Sequence, residues 1–439
     1  TKNLRADAVK EVEVFDKKSD QAEFTGIDDG VKDKTINLKL KDEKKKGYFG
    51  KIDAGGGLPD KFENAAMMNA FKGKRKIAGY GIMSNTGQTN LDWRDATNYG
   101  GGIDGMEAGV GDDGDIYWNW NGGDEEDNYY GGRNGIPTNW NAGLHYSNKY
   151  NNNKQSINGG YKFTKINAPG NIATFSKTFL PDTSWTSSSV SDNYSSNLKH
   201  ALNFTFESKI DSMNSLKWTT RANKNDKLTR SNYLTTAFAE NGDSINNSRR
   251  KNNNDGLNNA VFTSLLWRHK FKKVSRTLSI NTDLNWTRSD NEGLLYSINN
   301  YFIGGIIDHR DTLDQENIRD NESKNAGARI AYTEPLAKDA YLEVSHSFTY
   351  STTTNDRIVN KDDGSGKYEV RVDSLSNSYQ FDRMVNTPGL NFRVNKKKIM
   401  YSLGSSVGFS HFTQKNITEN SDVDYKYLNF FPRASITYK

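Results

Sequence analysis

Residues 99–139 concentrate the side chains most able to bind something. Asp112, Asp113 and Asp115 precede Trp118 and Trp120, and the run Asp124, Glu125, Glu126 and Asp127 follows, with glycines between. Carboxylates at this density could hold Ca²⁺, which takes six to eight oxygen ligands. Indole rings among polar groups could stack on a sugar or a peptide. These residues form the candidate ligand-binding set. Their spacing departs from the EF-hand loop, which needs alternating Asp/Asn before a fixed Gly and a later Glu. A Gly/Asp-rich connecting loop is the competing reading.

Other potential chemistry is sparser. The six histidines, His145, His200, His269, His309, His346 and His411, are scattered without HExxH or other ligand spacing, and packing roles are expected for them. Gly55–Gly57 and Gly100–Gly102 lack the Lys-Ser/Thr and the following helix of a phosphate loop. Asp28 and Asp29 stand in a turn sequence, where a ligand contact competes with turn formation. The absence of cysteine excludes disulfides and thiolate metal sites. No Ser/His/Asp arrangement has recognisable local context. The expectation is a protein that is not an enzyme and carries no cofactor.

The elements that must position these residues are strands. Only 34% of the 439 residues are hydrophobic, yet 22 Tyr, 21 Phe and 8 Trp are too many for a solvating, disordered chain. Lys and Arg cluster at turns instead of along one helix face, which argues against nucleic acid as a partner. Segment 278–287 shows the pattern best. Leu278, Ile280, Leu284 and Trp286 share one face with Thr282, while Ser279, Asn281, Asp283 and Asn285 share the other. The same alternation runs through 198–207, 261–271, 342–350, 401–409 and 430–438.

Residues 48–57 and 62–71 flank a turn at Leu58, Pro59, Asp60 and Lys61, as a hairpin should. Short polar or basic turns then recur every sixty residues or so, at 72–75, 151–154, 210–215, 272–275, 336–339 and 395–398. Each interval is expected to hold an outgoing strand, a long polar connection and a returning strand. Short turns at one end, long loops at the other and two-faced strands between them are the pattern of an outer-membrane barrel. A sandwich would turn every 8–12 residues without that asymmetry. The fold class is therefore all-β, a transmembrane antiparallel β-barrel with about fourteen strands after Gly47.

The residues also resemble a known family, the TonB-dependent receptor-like outer-membrane β-barrel proteins of Gram-negative bacteria, in the branch that carries a carboxypeptidase-regulatory-like domain. The similarity rests on AVKEVEVFDKKSDQAEFTGIDDG with KTINLKLK (8–41), GYFGKIDAGGG (47–57), TFLPDTS (178–184), SKIDSMNSL (208–216) and LNFFPRASITY (428–438). The resemblance implies that 1–46 is the C-terminal part of a plug domain and 47–439 the N-terminal portion of a barrel closing at about 22 strands. The regulatory-like domain, the rest of the plug and the TonB-contacting segment would precede Thr1. It also implies uptake across the outer membrane, with ligand bound at exterior loops and plug and energy supplied by a TonB-type protein. The alternative is a non-transporting barrel that docks a surface lipoprotein or another envelope protein. Outer-membrane lipid is the expected surrounding. Leu278, Ile280, Leu284 and Trp286 should face it, and the strand should leave the turn at 272–275 and end in a long loop after Asp290.

Overall fold

The computed structural model describes residues 9–18, 24, 32–40, 46–88, 106–110, 116–120, 135–181, 183–396 and 399–438. In chain order the strands are β1 (Val9–Lys18), β2 (Lys32–Leu40), β3 (Lys46–Gly57), β4 (Lys61–Lys72), β5 (Arg75–Ser84), β6 (Met106–Val110), β7 (Ile116–Trp120) and β8 (Thr138–Tyr150). They continue as β9 (Gln155–Phe179), β10 (Ser184–Lys209), β11 (Asn214–Ala239), β12 (Ser244–Lys270), β13 (Thr277–Ile303), β14 (Ile306–Ala337) and β15 (Ala340–Lys361). The two-residue β16 (Val370–Arg371), β17 (Asn377–Asn395), β18 (Ile399–Asn416) and β19 (Ser421–Tyr438) complete the series.

β1 pairs with β2 and β6 with β7 as separate antiparallel ribbons. All other strands form one 15-stranded antiparallel sheet, in the order β3-β4-β5-β8-β9-β10-β11-β12-β13-β14-β15-β17-β18-β19, with β16 attached to β15. Leaving β16 aside, fourteen strands follow one another up and down, as the turn count predicts. Among the described residues no ladder joins β3 to β19, so the sheet has two edges.

Every predicted turn at the basic end joins two neighbouring strands, and local chemistry explains several. Asn151, Asn152 and Asn153 all adopt positive φ, which Asn tolerates better than any other side chain, so three successive asparagines make the β8–β9 reversal. Gly73 takes φ +61° between β4 and β5. The Asp211 carboxylate accepts from the Met213 and Asn214 amides at 2.6 and 2.7 Å, closing the β10–β11 turn.

The far end corrects the sequence reading. The polar stretches expected as long connections are mostly strand. β13 runs on past Asp290 to Ile303 and turns through Gly304 and Gly305, both at positive φ. β14 has 32 residues, against the roughly 9–11 a strand needs to cross a bilayer. β9–β10, β11–β12 and β18–β19 likewise close through short links near 180–183, 240–243 and 417–420. The connection between β5 and β8 is long, as expected, and that between β15 and β17 holds β16.

Candidate functional site: the two faces of the sheet

Successive side chains on a strand alternate, and register partners on neighbouring strands share a face. Following partners across the sheet therefore sorts its residues. One row reads Phe206, Trp218, Leu265, Thr282, Ala328, Phe348, Asn386, Phe409 and Leu428. The row one residue along, on the opposite face, reads Thr205, Thr219, Ser264, Asp283, Gly327, Thr349, Val385, Ser410 and Tyr427. The first is an apolar belt and the second a polar wall. On the belt Leu284 is 56% exposed and Leu403 64%, so large apolar side chains face outward from the sheet.

Charged clusters bracket the belt on β13 and β14. At the basic-turn end, Glu334 accepts from Lys273 at 2.7 Å, from Arg276 at 2.7 and 2.8 Å and from Tyr332 at 2.6 Å. At the other end the Trp286 indole donates to Glu322 at 2.8 Å, and Arg288 lies between Asp290 at 3.0 Å and Asp320 at 2.9 Å. Between Glu334 and Lys324 the belt face of β14 carries only Tyr332, Ile330, Ala328 and Ala326. Ten residues at about 3.3 Å each, tilted by about 40°, give a band of roughly 25 Å, the height of the apolar girdle of an outer-membrane barrel. The Trp286 indole sits at its rim, apolar ring toward the belt and N–H in a charged layer.

The family comparison agrees with this geometry. Residues 269–439, from the end of β12 through β19, match the model of an outer membrane protein beta-barrel family. This is a protein of the outer membrane. β3–β12 continue the same sheet with the same two faces. No curated protein matches the chain significantly.

The polar wall carries an uneven charge. From β9 to β17 its carboxylates are Glu207, Asp283, Asp311 and Glu343. Every long strand in that range except β13 turns at least one Lys or Arg to the wall. Glu207 is joined to Lys217 at 3.1 Å and Glu343 to Arg329 at 3.2 Å. Near the basic-turn end of this wall, Phe24 from the N-terminal segment is only 8% exposed. The Arg268 guanidinium lies 4.9 Å and the Lys270 ammonium 5.3 Å from its ring centre, a cation–π clamp on both sides of one β12 register step.

Of the predicted ligand set, Trp118 and Trp120 lie on β7, which pairs with β6. Asp112, Asp113, Asp115, Asp124, Glu125, Glu126 and Asp127 lie outside the described residues, as do Asp28 and Asp29. Two of the histidines, His200 and His269, pack against aromatic neighbours as expected. His200 bonds the Tyr161 hydroxyl at 2.7 Å and stands 5.4 Å from the Phe163 ring, while His269 bonds Asn214 at 2.9 Å and stacks on Trp267. Among the described residues no group of three His, Asp or Glu could hold a metal ion.

Beyond the belt, the β15–β17 connection is built by its own polar contacts. Asp363 accepts from the Ser365 amide and hydroxyl, which holds its carboxyl below the usual range. Tyr368 donates to Asp314 at 2.7 Å, and that bond pushes the phenol up to about 12. The wall cations and Phe24 were absent from the sequence-derived set. For upper-wall cations such as Arg319 and Arg357 the signal is strand parity carried through stretches that read locally as loop, whereas Phe24 carries no sequence signal of its own.

Proposed function

We propose that this protein is the barrel of a TonB-dependent-receptor-like transporter, with the segment before Lys46 seated against the inner wall and ligand captured at exterior loops and plug. The observation that carries the reading is Phe24, buried on the polar face of β12 between Arg268 and Lys270. A segment held there by two cation–π contacts, at about 0.5–2 kcal/mol each, is fixed yet displaceable by an external pull. The family motifs at both ends of the chain point the same way. A scaffold that docks envelope proteins is the second reading, favoured by strands such as β14 that rise far beyond the belt.

These 439 residues contain no cysteine, so Phe24→Cys places the one thiol among them. In energised cells expressing the full-length protein, with any other cysteine replaced by serine, labelling of that thiol by a membrane-impermeant maleimide should rise, and a protonophore should suppress it. Labelling indifferent to the protonophore would defeat the transporter reading and leave the scaffold.

A further inference from the structure

The polar wall holds a pair of arginines that no acidic side chain among the described residues answers. Arg319 on β14 and Arg357 on β15 are direct register partners on the wall face. Direct partners have Cβ atoms about 4.5–5.5 Å apart, where like charges repel. No hydrogen bond or ion pair joins either guanidinium to another described residue, and the buried Arg357 Nε has no acceptor. The wall pairs that follow are neutral, Asn321 with Asn355 and then Ser323 with Thr353. Asp320 and Asp356, each one residue along, project from the opposite face, where Arg288 and Ser378 engage them. They temper the repulsion through the sheet but offer these guanidinium N–H groups no acceptor. Arg383 on β17 repeats the situation, with a buried Nε that has no acceptor.

We infer that the Arg319–Arg357 pair is an oxyanion-binding fork on the inner wall, and that the solute it serves is an extended polyanion carrying sulfate, phosphate or carboxylate groups. Two planar guanidinium groups side by side match such groups bidentately, which lysines do not. The occupant must be extended, because Arg383, opposite Ser351 of β15, stands on the same wall six residues from Arg357, roughly 20 Å at about 3.3 Å per residue and beyond the reach of one small ion. Cation-lined walls select anions in pores on the same physical ground. This inference deepens the transport reading by naming a class of solute, yet it is tested separately: binding is read on purified protein, energised movement in cells.

The test uses the full-length protein in detergent, titrated with dextran sulfate and, in parallel, with unsulfated dextran of equal length. Dextran sulfate should bind, more weakly as salt rises, and neutral dextran should not. The double variant Arg319→Gln/Arg357→Gln should weaken binding by about tenfold or more, the scale of losing charged hydrogen bonds. Arg319→Lys/Arg357→Lys, which keeps the charge, should fall between, and serves if the glutamine pair fails to fold. Arg230→Gln, on the opposite face of β11, should change nothing. Inorganic phosphate should displace dextran sulfate better than chloride does at matched ionic strength. Neutral dextran binding as well as dextran sulfate, or undiminished binding by a folded double variant, would overturn the assignment, and so would phosphate no better than chloride.

Discussion

At the scale of single residues, the wall face is shaped by glycines set opposite short polar side chains. Gly256 faces Asn291 and Gly293 faces Asn254, a reciprocal arrangement in which each amide oxygen occupies the space a Cβ would take, at 2.6 and 3.1 Å. Gly327 faces Asp283 and Gly404 faces Asn391 in the same way. These cases differ in what would have to move. The three atoms nearest a Cβ on Gly327 all belong to the Asp283 carboxylate, at 2.6–2.8 Å, which can rotate aside. A Cβ on Gly404 also meets the Leu390 carbonyl oxygen at 2.9 Å and Asn391 Cα at 3.2 Å, both backbone. Gly404→Ala should therefore cost about 1–3 kcal/mol as an overpacking change, and Gly327→Ala clearly less. Urea unfolding from lipid vesicles measures both, and equal midpoints would mean that the backbone at Leu390 yields as easily as a carboxylate.

At the scale of elements, the lower strands and their turns were legible because local rules and tertiary pairing agree there. Segment 278–287 shows its two faces in two-residue periodicity, and the Asn151–Asn153 turn in residues that tolerate positive φ. The upper halves were illegible because the two disagree. Asn253, Asn254, Asp255 and Gly256 read locally as a turn, yet β12 carries them through an unbroken ladder with partners on both sides. Long-range pairing overrides turn propensity when every backbone group finds a partner. The belt also relocates the sensitive position on β13. Trp286 marks the upper rim, so Leu284 lies just beneath it, whereas Ile280, opposite Ile330, lies near mid-belt. Ile280→Arg should cost about 2–4 kcal/mol, Leu284→Arg less and the wall-facing Asn285→Arg little, following the depth dependence of charge on the lipid face. The fraction of protein reaching the folded, heat-modifiable form in the outer membrane reports this order. Equal losses at Leu284 and Asn285 would contradict the assigned faces.

At the scale of the molecule, the sequence shows a net charge of +5 spread along the chain, but its division between faces depends on the register and could not be read beforehand. Register likewise decides the edges. β19 is exposed along its whole described length, on both faces, and β3 over most of its own. In hydrocarbon an unpaired N–H or C=O costs several kcal/mol, so neither edge can meet lipid bare. Direct closure of β3 on β19 is sterically sensible, since fourteen alternating strands leave the two antiparallel. Direct contact of β3 with β19 and separation by other strands differ in the distance between the two edges, which cross-linking reads. A cysteine replacing Ile52 on β3, combined in turn with one replacing Leu428, Phe430, Pro432 or Ala434 on β19, samples the possible registers on the belt face. A disulfide needs Cα atoms about 4.4–6.8 Å apart. No pair should oxidise within one folded molecule in the outer membrane if other strands intervene, whereas bridging by any one of them would mean that these fourteen strands close on themselves.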